Sequence, residues 1–316
     1  MNPKVSIAMT TYNGELYLLK QMESLISQTY TDFELIICDD CSSDNTLAIL
    51  NTYASTDSRI RVIKNSENKG YARNFISVIG LCKGEYIFLA DQDDIWLPNK
   101  IERMVNCMQA KQNIDLLVCK DIDFFDSQDS LKNIHQKTDS IPRKVTTKKS
   151  LLKCAYRGLN MCLRKTFIDF VLCNYDFSIP FPAHDWLFQL FATEKESIYT
   201  LSEVLTLHRK HKNNTASLGE DNSSRFSKRL SVLRKLLVHY EWACKIFHNS
   251  KLNRILRQIL YFFYKRENIL NGNRFLALVR CAVLSVYAIF LCFPVKWVLG
   301  DGFVRFTASG GVRNEA

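Results

Sequence analysis

The sequence predicts an α/β fold, a sheet flanked by helices on both faces, followed by a basic helical region. Three observations carry this. Short apolar runs alternate with stretches of helical spacing through the first 120 residues, the pattern of parallel strands joined by crossover helices. Three of those runs end on polar clusters, Thr10-Thr11-Tyr12-Asn13-Gly14, Asp39 to Asp44, and Asp91-Gln92-Asp93-Asp94. Charge is segregated: from Ser223 to the end there are 16 Lys+Arg against 4 Asp+Glu, whereas residues 1–222 hold 26 against 28.

Taken in order, Val5–Met9 reads as a buried strand and Leu16–Gln28 as a helix, with apolar residues at Leu18, Leu19, Met22, Leu25 and Ile26. Phe33–Cys38 is a second strand. Asp44 is placed to cap a helix that runs to about Tyr53. Ile60–Lys64 is a third strand, Gly70 opens a helix to about Cys82, and Tyr86–Ala90 is a fourth strand that stops directly on the acidic cluster. Lys100–Gln112 is helical and Leu116–Lys120 strand-like. Residues 123–148 are polar and read as loop. Order returns at Leu151–Arg164, Ala183-His184-Asp185-Trp186 precedes a helix, and Ser197–His208 reads as two short strands. The polar stretch Asn213–Ser224 marks a boundary. The expected organisation is an α/β domain over 1–222, divided into halves 1–110 and 111–222, then a helical region 223–316.

The eleven cysteines include one Cys-x-x-Cys pair, Cys38 and Cys41, without a second pair or a His/Cys cluster to complete a zinc site. They read as reduced core residues. The N-terminus has no basic segment followed by a long apolar run, so no secretory signal is expected. Neither GxGxxG nor GxxxxGK[ST] occurs, which argues against the usual dehydrogenase and P-loop chemistries.

In α/β sheets ligands sit beyond the carboxyl ends of the strands. Asp91, Asp93 and Asp94 crowd one such end, at a Coulombic cost that a bound cation or nearby Lys/Arg must offset. Oxygen ligands favour Mg²⁺ or Mn²⁺. A diphosphate would complete the ion's shell, and the ion would stabilise charge growing on a departing diphosphate.

These residues resemble glycosyltransferase family 2. The likeness runs through Val5–Gly14, Ser27-Gln28-Thr29, Ile36–Thr46, Asn65–Asn74 and Gly84–Pro98, in order. Asp91-Gln92-Asp93-Asp94-Ile95-Trp96-Leu97-Pro98 and the later His184-Asp185-Trp186 are similar to bacterial rhamnosyltransferases of O-antigen, capsule and surface-polysaccharide synthesis. Leu207 to Asn214 looks like their downstream motif, although an aromatic residue often stands there in place of Leu207 and glycine in place of Lys212. The resemblance implies a GT-A fold, a Rossmann-like mixed sheet, as the catalytic domain over 1–222, with 1–110 the nucleotide-binding half and 111–222 the acceptor half. It implies that Thr10, Thr11 and Tyr12 line a base pocket, that Asp40 with its neighbour Asp39 meets a pyrimidine, and that Asn68, Gly70, Arg73 and Asn74 lie over the nucleotide. Asp91 would reach the ribose or metal-bound waters, Asp93 would bind Mg²⁺ or Mn²⁺, and Asp94 would be a second carboxylate. Asp185 would be the base of an inverting displacement, shielded by Trp186, with Arg209 and His211 at the diphosphate.

The expected donor is dTDP-rhamnose or a UDP-hexose and the expected acceptor a polyprenyl-linked saccharide. A non-catalytic nucleotide or metal sensor is the rival of a different class. Leu230, Leu233, Leu236, Leu237 and Tyr240, and again Leu252, Ile255, Leu256, Ile259, Phe262 and Phe263, form apolar faces bordered by Arg and Lys. Such helices suit an anionic membrane surface. Cys281–Val295 is too short to span a bilayer, so residues 275–299 are expected to insert from one side. The protein is accordingly expected on the cytoplasmic face of the bacterial inner membrane. No nucleic-acid partner is expected, because the aromatics sit on apolar faces rather than among the charges.

Overall fold

The computed structural model describes residues 3–125, 140–152, 156–211, 225–271 and 284. The chain forms two compact units, Met1–Asn214 and Thr215–Ala316.

The first unit is built on a nine-stranded mixed sheet. Its strands are β1 (Val5–Thr11), β2 (Phe33–Asp39), β3 (Ile60–Lys64), β4 (Tyr86–Ala90), β5 (Ile95–Trp96), β6 (Leu116–Phe124), β7 (Arg143–Lys144), β8 (Met161–Arg164) and β9 (Ile198–Arg209). They lie in the order β3-β2-β1-β4-β8-β6-β9-β5, with β7 also on β9. The four at the start of this order are parallel, β8 is antiparallel to both β4 and β6, and β9 runs parallel to β6. Helices α1 (Glu15–Ile26), α2 (Thr46–Thr56), α3 (Tyr71–Gly80), α4 (Lys100–Ala110), α5 (Thr147–Leu152), α6 (Lys165–Asn174) and α7 (His184–Glu194) connect them.

β1, β2 and β4 form where expected because their runs are mainly apolar on both faces. Every residue of β4 is buried, as a strand covered on both sides requires. In α1 the periodic positions Leu18, Met22 and Leu25 are fully buried, while Leu16 and Leu19 face solvent. Asp44 serves two helices: its carboxylate accepts the N–H of Thr46 at 3.0 Å and that of Glu15 at 3.1 Å.

Three expectations change. Residues 123–148 are not all loop, since β6 runs on to Phe124 and both β7 and the start of α5 lie within this stretch. Ser197–His208 is one strand, not two. Its register against β6 shifts on either side of Lys120, and such bulges bend a strand without ending it. The divide at 110/111 is not a structural boundary either. β5, from the first half, pairs with β9 at the far edge of the sheet (Ile95 opposite Leu207, Trp96 opposite Thr206), so the halves interleave.

The second unit contains α8 (Arg225–Ile246) and α9 (Asn253–Asn271). Leu233, Leu237 and Tyr240 of α8 and Leu256, Ile259, Phe262 and Phe263 of α9 are buried. The Tyr240 and Phe263 rings lie 5.1 Å apart. The apolar faces assigned to lipid are therefore occupied in this helix pair, because apolar stripes on neighbouring helices leave water most completely by packing on each other. Among the described residues no helix is long and apolar enough to cross a membrane. Apart from Leu284, the segment 275–299 lies outside the described residues.

Candidate active site

The carboxyl ends of β2, β1 and β4 are adjacent, so the three polar clusters share one crevice. Gln92, which sequence reasoning passed over as a spacer between aspartates, joins two of them. Its side-chain carbonyl accepts the Tyr12 N–H at 2.8 Å and its amide donates to the Tyr12 carbonyl at 3.0 Å. Gly14 leaves room for this clamp, since a Cβ there would lie 2.2 Å from Gln92 Oε1. Asn13, in a left-handed conformation at φ 48°, accepts the Ser43 N–H at 2.8 Å and so ties the β1 end to the β2 end.

Around β2 the two aspartates divide the work. Asp39 is fully buried and accepts from the Thr11 hydroxyl (2.9 Å), the Ser42 N–H (2.9 Å) and the Ser42 hydroxyl (2.5 Å). It braces the loop from beneath. Asp40 accepts from the Asn65 amide (2.8 Å) and from the backbone N–H groups of Lys69 and Gly70 (both 2.9 Å). A carboxylate has about four acceptor positions, so one remains for a ligand N–H. Gly70, at φ 77°, takes a conformation that favours glycine and turns its N–H onto Asp40. Asn68 donates to the Asp40 carbonyl at 3.2 Å. Asn74 is buried, donating to the Cys38 carbonyl and accepting from Asn65. Its amide faces the interior because a buried amide must find partners. Tyr12 and Arg73 are exposed at the crevice rim and Thr10 is half-buried.

β5 explains how the acidic cluster meets the C-terminal motif. Pairing of β5 with β9 lays residues 209–211 beside Asp93 and Asp94. Arg209 donates its backbone N–H to Asp94 Oδ1 (3.1 Å) and its side chain to the Asp93 carbonyl (2.7 Å). His211 Nε2 lies 2.7 Å from Asp93 Oδ2, with its ring stacked on Tyr17 at 4.3 Å.

Beneath the cluster sits Lys100, fully buried, which sequence reasoning read only as a helix start. Its ammonium donates to the Leu159 carbonyl (2.6 Å) and the Thr206 hydroxyl (2.9 Å), and lies 3.5 Å from the centre of the Trp96 ring. Burial lowers its pKa to about 8. Replacing it with methionine should cost about 3–5 kcal/mol of stability, because it strands two polar partners and removes the internal positive charge from Asp94 and Asp91. In a domain this size that is a fall in Tm of roughly 6–20 °C. Thermal denaturation reads it directly, and a variant melting with the wild type would show that Lys100 balances nothing.

Burial is also the main reason that the Asp91 carboxyl is raised to about 7, with the charges of Asp93 and Asp185 adding to it. Asp94 is raised well above the carboxylate range by burial and then by Asp91 and Asp93. Its Oδ2 is buried without a hydrogen-bond partner among the described residues. Crowded acids with an orphaned oxygen, and an imidazole against Asp93, suit a divalent cation.

Among the described residues, the geometry also gathers Asp121, Asp123 and His208, ligand atoms within 4.8 Å of one another, a trio that sequence reasoning did not select. The Arg157 guanidinium already fills its centre, bonded to Asp121, to Asp123 at 3.0 Å and to His208 Nδ1 at 3.0 Å. A side-chain cation thus stands where a metal ion would.

Asp185 lies in the first turn of α7. Its carboxylate accepts the Trp186 N–H at 2.7 Å and a backbone bond from Gly158. Burial raises it to about 6. Trp186 is buried beside it. Neighbouring His184 is buried, stacked on Phe75 at 3.9 Å, with neither ring nitrogen hydrogen-bonded among the described residues, and burial holds it neutral with a pKa lowered to about 3. A Cβ on Gly158 would come within 2.8 Å of His184 Nε2, so this glycine lets the turn sit tight beneath Asp185.

The crevice thus sets a carboxylate cluster at the β4 end against Asp185 on α7, near enough for their charges to interact. The sequence profile of glycosyl transferase family 2 matches residues 6–169, more than half of the chain. The protein belongs to glycosyltransferase family 2. It is an enzyme that uses nucleotide sugars. Among its relatives, the dTDP-rhamnosyl transferase RfbG of Shigella flexneri is 30% identical over 236 residues, covering 72% of this chain and 79% of the relative. The β-1,3-glucosyltransferase WfgD of Escherichia coli, which transfers from UDP-Glc to GlcNAc-diphosphoundecaprenol, is 32% identical over 178 residues, covering 56% and 64%. In fold, this family 2 chain is similar to S. aureus TarS solved with UDP-GlcNAc (TM-score 0.60, 19% identity, 96% of this chain and 89% of that one). It is also similar to a Pyrobaculum calidifontis mannosyltransferase solved with GDP-Man and Mn²⁺ (TM-score 0.55, 16% identity, 96% and 80%). The GT-A fold is therefore shown.

Proposed function

We propose that this enzyme is an inverting glycosyltransferase that moves L-rhamnose from dTDP-rhamnose to a lipid-linked saccharide in bacterial surface-polysaccharide synthesis. The observation that carries the inverting mechanism is Asp185: a single half-buried carboxylate, held by two backbone N–H groups, facing the acidic cluster across the crevice.

In this reading the pyrimidine lies between Tyr12, Thr10 and the remaining acceptor position of Asp40, under Arg73. Thr11, Asp39, Asn68, Gly70 and Asn74 hold that pocket in shape. Asp93 and His211 would hold Mg²⁺ or Mn²⁺, with Asp91 reaching its waters or the ribose. The ion would offset the charge that grows on the leaving diphosphate. Asp94 and Arg209 fix the acidic loop from behind. Asp185 takes the proton of the acceptor hydroxyl as that oxygen attacks the anomeric carbon, and Trp186 keeps water from it.

The rhamnosyl donor draws support from the likeness to RfbG, and a UDP-hexose from the likeness to WfgD. For the membrane side, Arg234, Lys235, Arg254 and Arg257 are exposed on α8 and α9, and we propose that these cations meet anionic lipid where the acceptor is anchored.

A thermal-shift screen separates the donors, because a ligand that binds the native state adds about 2.7 kcal/mol of stability at a hundred times Kd and so raises the melting point. dTDP-rhamnose with Mn²⁺ should give the largest shift. A larger shift with a UDP-hexose would transfer the assignment to that donor, and no shift with any nucleotide sugar would remove it.

A further inference from the structure

Beside the base lies a cleft of about 440 Å³ that the reaction as described leaves unused. It is lined in part by Lys120, Asp121, Asp123, Tyr156, Arg157 and Asn160. Its volume is that of a small-molecule site. We propose that it is the acceptor subsite, and that it takes the hydroxyl groups of a neutral saccharide unit. The proposal rests on the reading of Asp185 as base.

Placement is the first argument. Arg157 and Gly158 are consecutive: the guanidinium of one borders the cleft, and the backbone of the other bonds the Asp185 carboxylate. On the other side, Asp123 stands opposite His208 in the sheet, and Arg209, the next residue, bonds the Asp93 carbonyl. A sugar in the cleft therefore has the base on one flank and the diphosphate side of the crevice on the other. A single displacement demands that arrangement of its acceptor.

Chemistry is the second argument. Asn160, 3% exposed, donates to Asp121 Oδ1 at 2.7 Å, and Arg157 is held between Asp121 and Asp123. Planar side chains locked to one another present fixed donors and acceptors at hydrogen-bond spacing, which suits neighbouring hydroxyls on a ring. Asp123 lines the cleft with 45% of its side chain exposed; Arg157 and His208 share its Oδ1 and Lys210 stands 3.6 Å from its Oδ2, which leaves acceptor positions on Oδ2. A phosphate fits less well than a hydroxyl, because the Asp121 and Asp123 carboxylates that hold Arg157 would repel it, against the attraction of Lys120 in the lining and of Lys210 at 3.6 Å from Asp123. A metal ion fits poorly for the complementary reason, since the guanidinium occupies its place.

The test is saturation-transfer NMR on the full chain with neutral methyl glycosides of glucose, N-acetylglucosamine, galactose and rhamnose, with inorganic phosphate in a separate arm. At least one glycoside should bind the wild type. Asp123→Asn removes a charged acceptor while keeping its shape and should weaken that binding roughly 10- to 100-fold. Arg157→Lys should weaken it similarly, since a point charge cannot replace a fork. Tm and the affinity for dTDP or UDP with Mn²⁺ are measured alongside and should hold in Asp123→Asn, whose side chain is half exposed. The proposal is overturned if glycosides bind both variants as they bind the wild type, if phosphate binds in their place, or if the wild type binds nucleotide but no glycoside. Failure of the wild type to bind nucleotide at all would overturn the donor reading as well. Loss of glycoside binding in Asp123→Asn alongside normal transfer by Asp185→Asn would keep the subsite and remove the base.

Discussion

Asp185→Asn should lower kcat by about 10²- to 10⁴-fold, the usual contribution of a positioned general base, and leave the donor dissociation constant within about twofold of the wild type. The amide keeps the size of the carboxylate and an oxygen for the Gly158 and Trp186 N–H groups, so the turn survives while proton transfer does not. The pH profile gives a sharper reading. A base works ionised, and burial lifts the Asp185 carboxyl to about 6. Wild-type kcat should therefore rise with pH through about 6 and level above it, and this limb should vanish in the variant. Asp91 titrates nearby, at about 7, partly because Asp185 carries charge. Removing that charge should ease Asp91 downward, so the variant should bind Mn²⁺ better than the wild type between about pH 6 and 7. Equal loss of donor affinity and kcat would make Asp185 a structural residue.

Asp93→Ala should remove metal-dependent turnover, by about 10²- to 10³-fold when the ion's stabilisation of the leaving diphosphate is compared with the loss of other charge-stabilising groups. It also removes the carboxylate 2.7 Å from His211. Donor affinity should fall together with the rate, unlike the Asp185 variant, and a chelator should then have little further effect. Full activity of the wild type in chelator would end the metal assignment. Activity lost in Asp121→Asn but kept in Asp93→Ala would move the ion to the Asp121, Asp123 and His208 trio, against the guanidinium argument.

Much of the nucleotide side was legible in the sequence, because apolar runs, turn residues and strand-end polarity are local signals. β1 to β4, the acidic cluster and the helices between them needed no distant partner to be recognised. Arg209 and His211 were singled out through the resemblance, and the β5–β9 pairing brings them to the acidic cluster. The remainder depends on residues that meet only in three dimensions. Gln92 looked like filler until Tyr12 was beside it. Lys100 read only as the start of a helix until its ammonium was found between Leu159 and Thr206. Arg157, Asp121 and Asp123 carry no mutual spacing that predicts their junction. The apolar faces of α8 and α9 illustrate the opposite limit: amphipathicity states that a face will leave water, and only the fold states what covers it.

The detour of β5 has a consequence for how this enzyme acquires its activity. The motifs assigned to the donor are complete within the first hundred residues, yet the imidazole that meets the Asp93 carboxylate arrives 118 positions later, on the stretch that follows β9. A loop of that length must close before the two meet. A polypeptide emerging from the ribosome would thus have its nucleotide motifs in place long before it has a working centre, and activated sugars would be safe from half-made enzyme until the last strand of the sheet is threaded home.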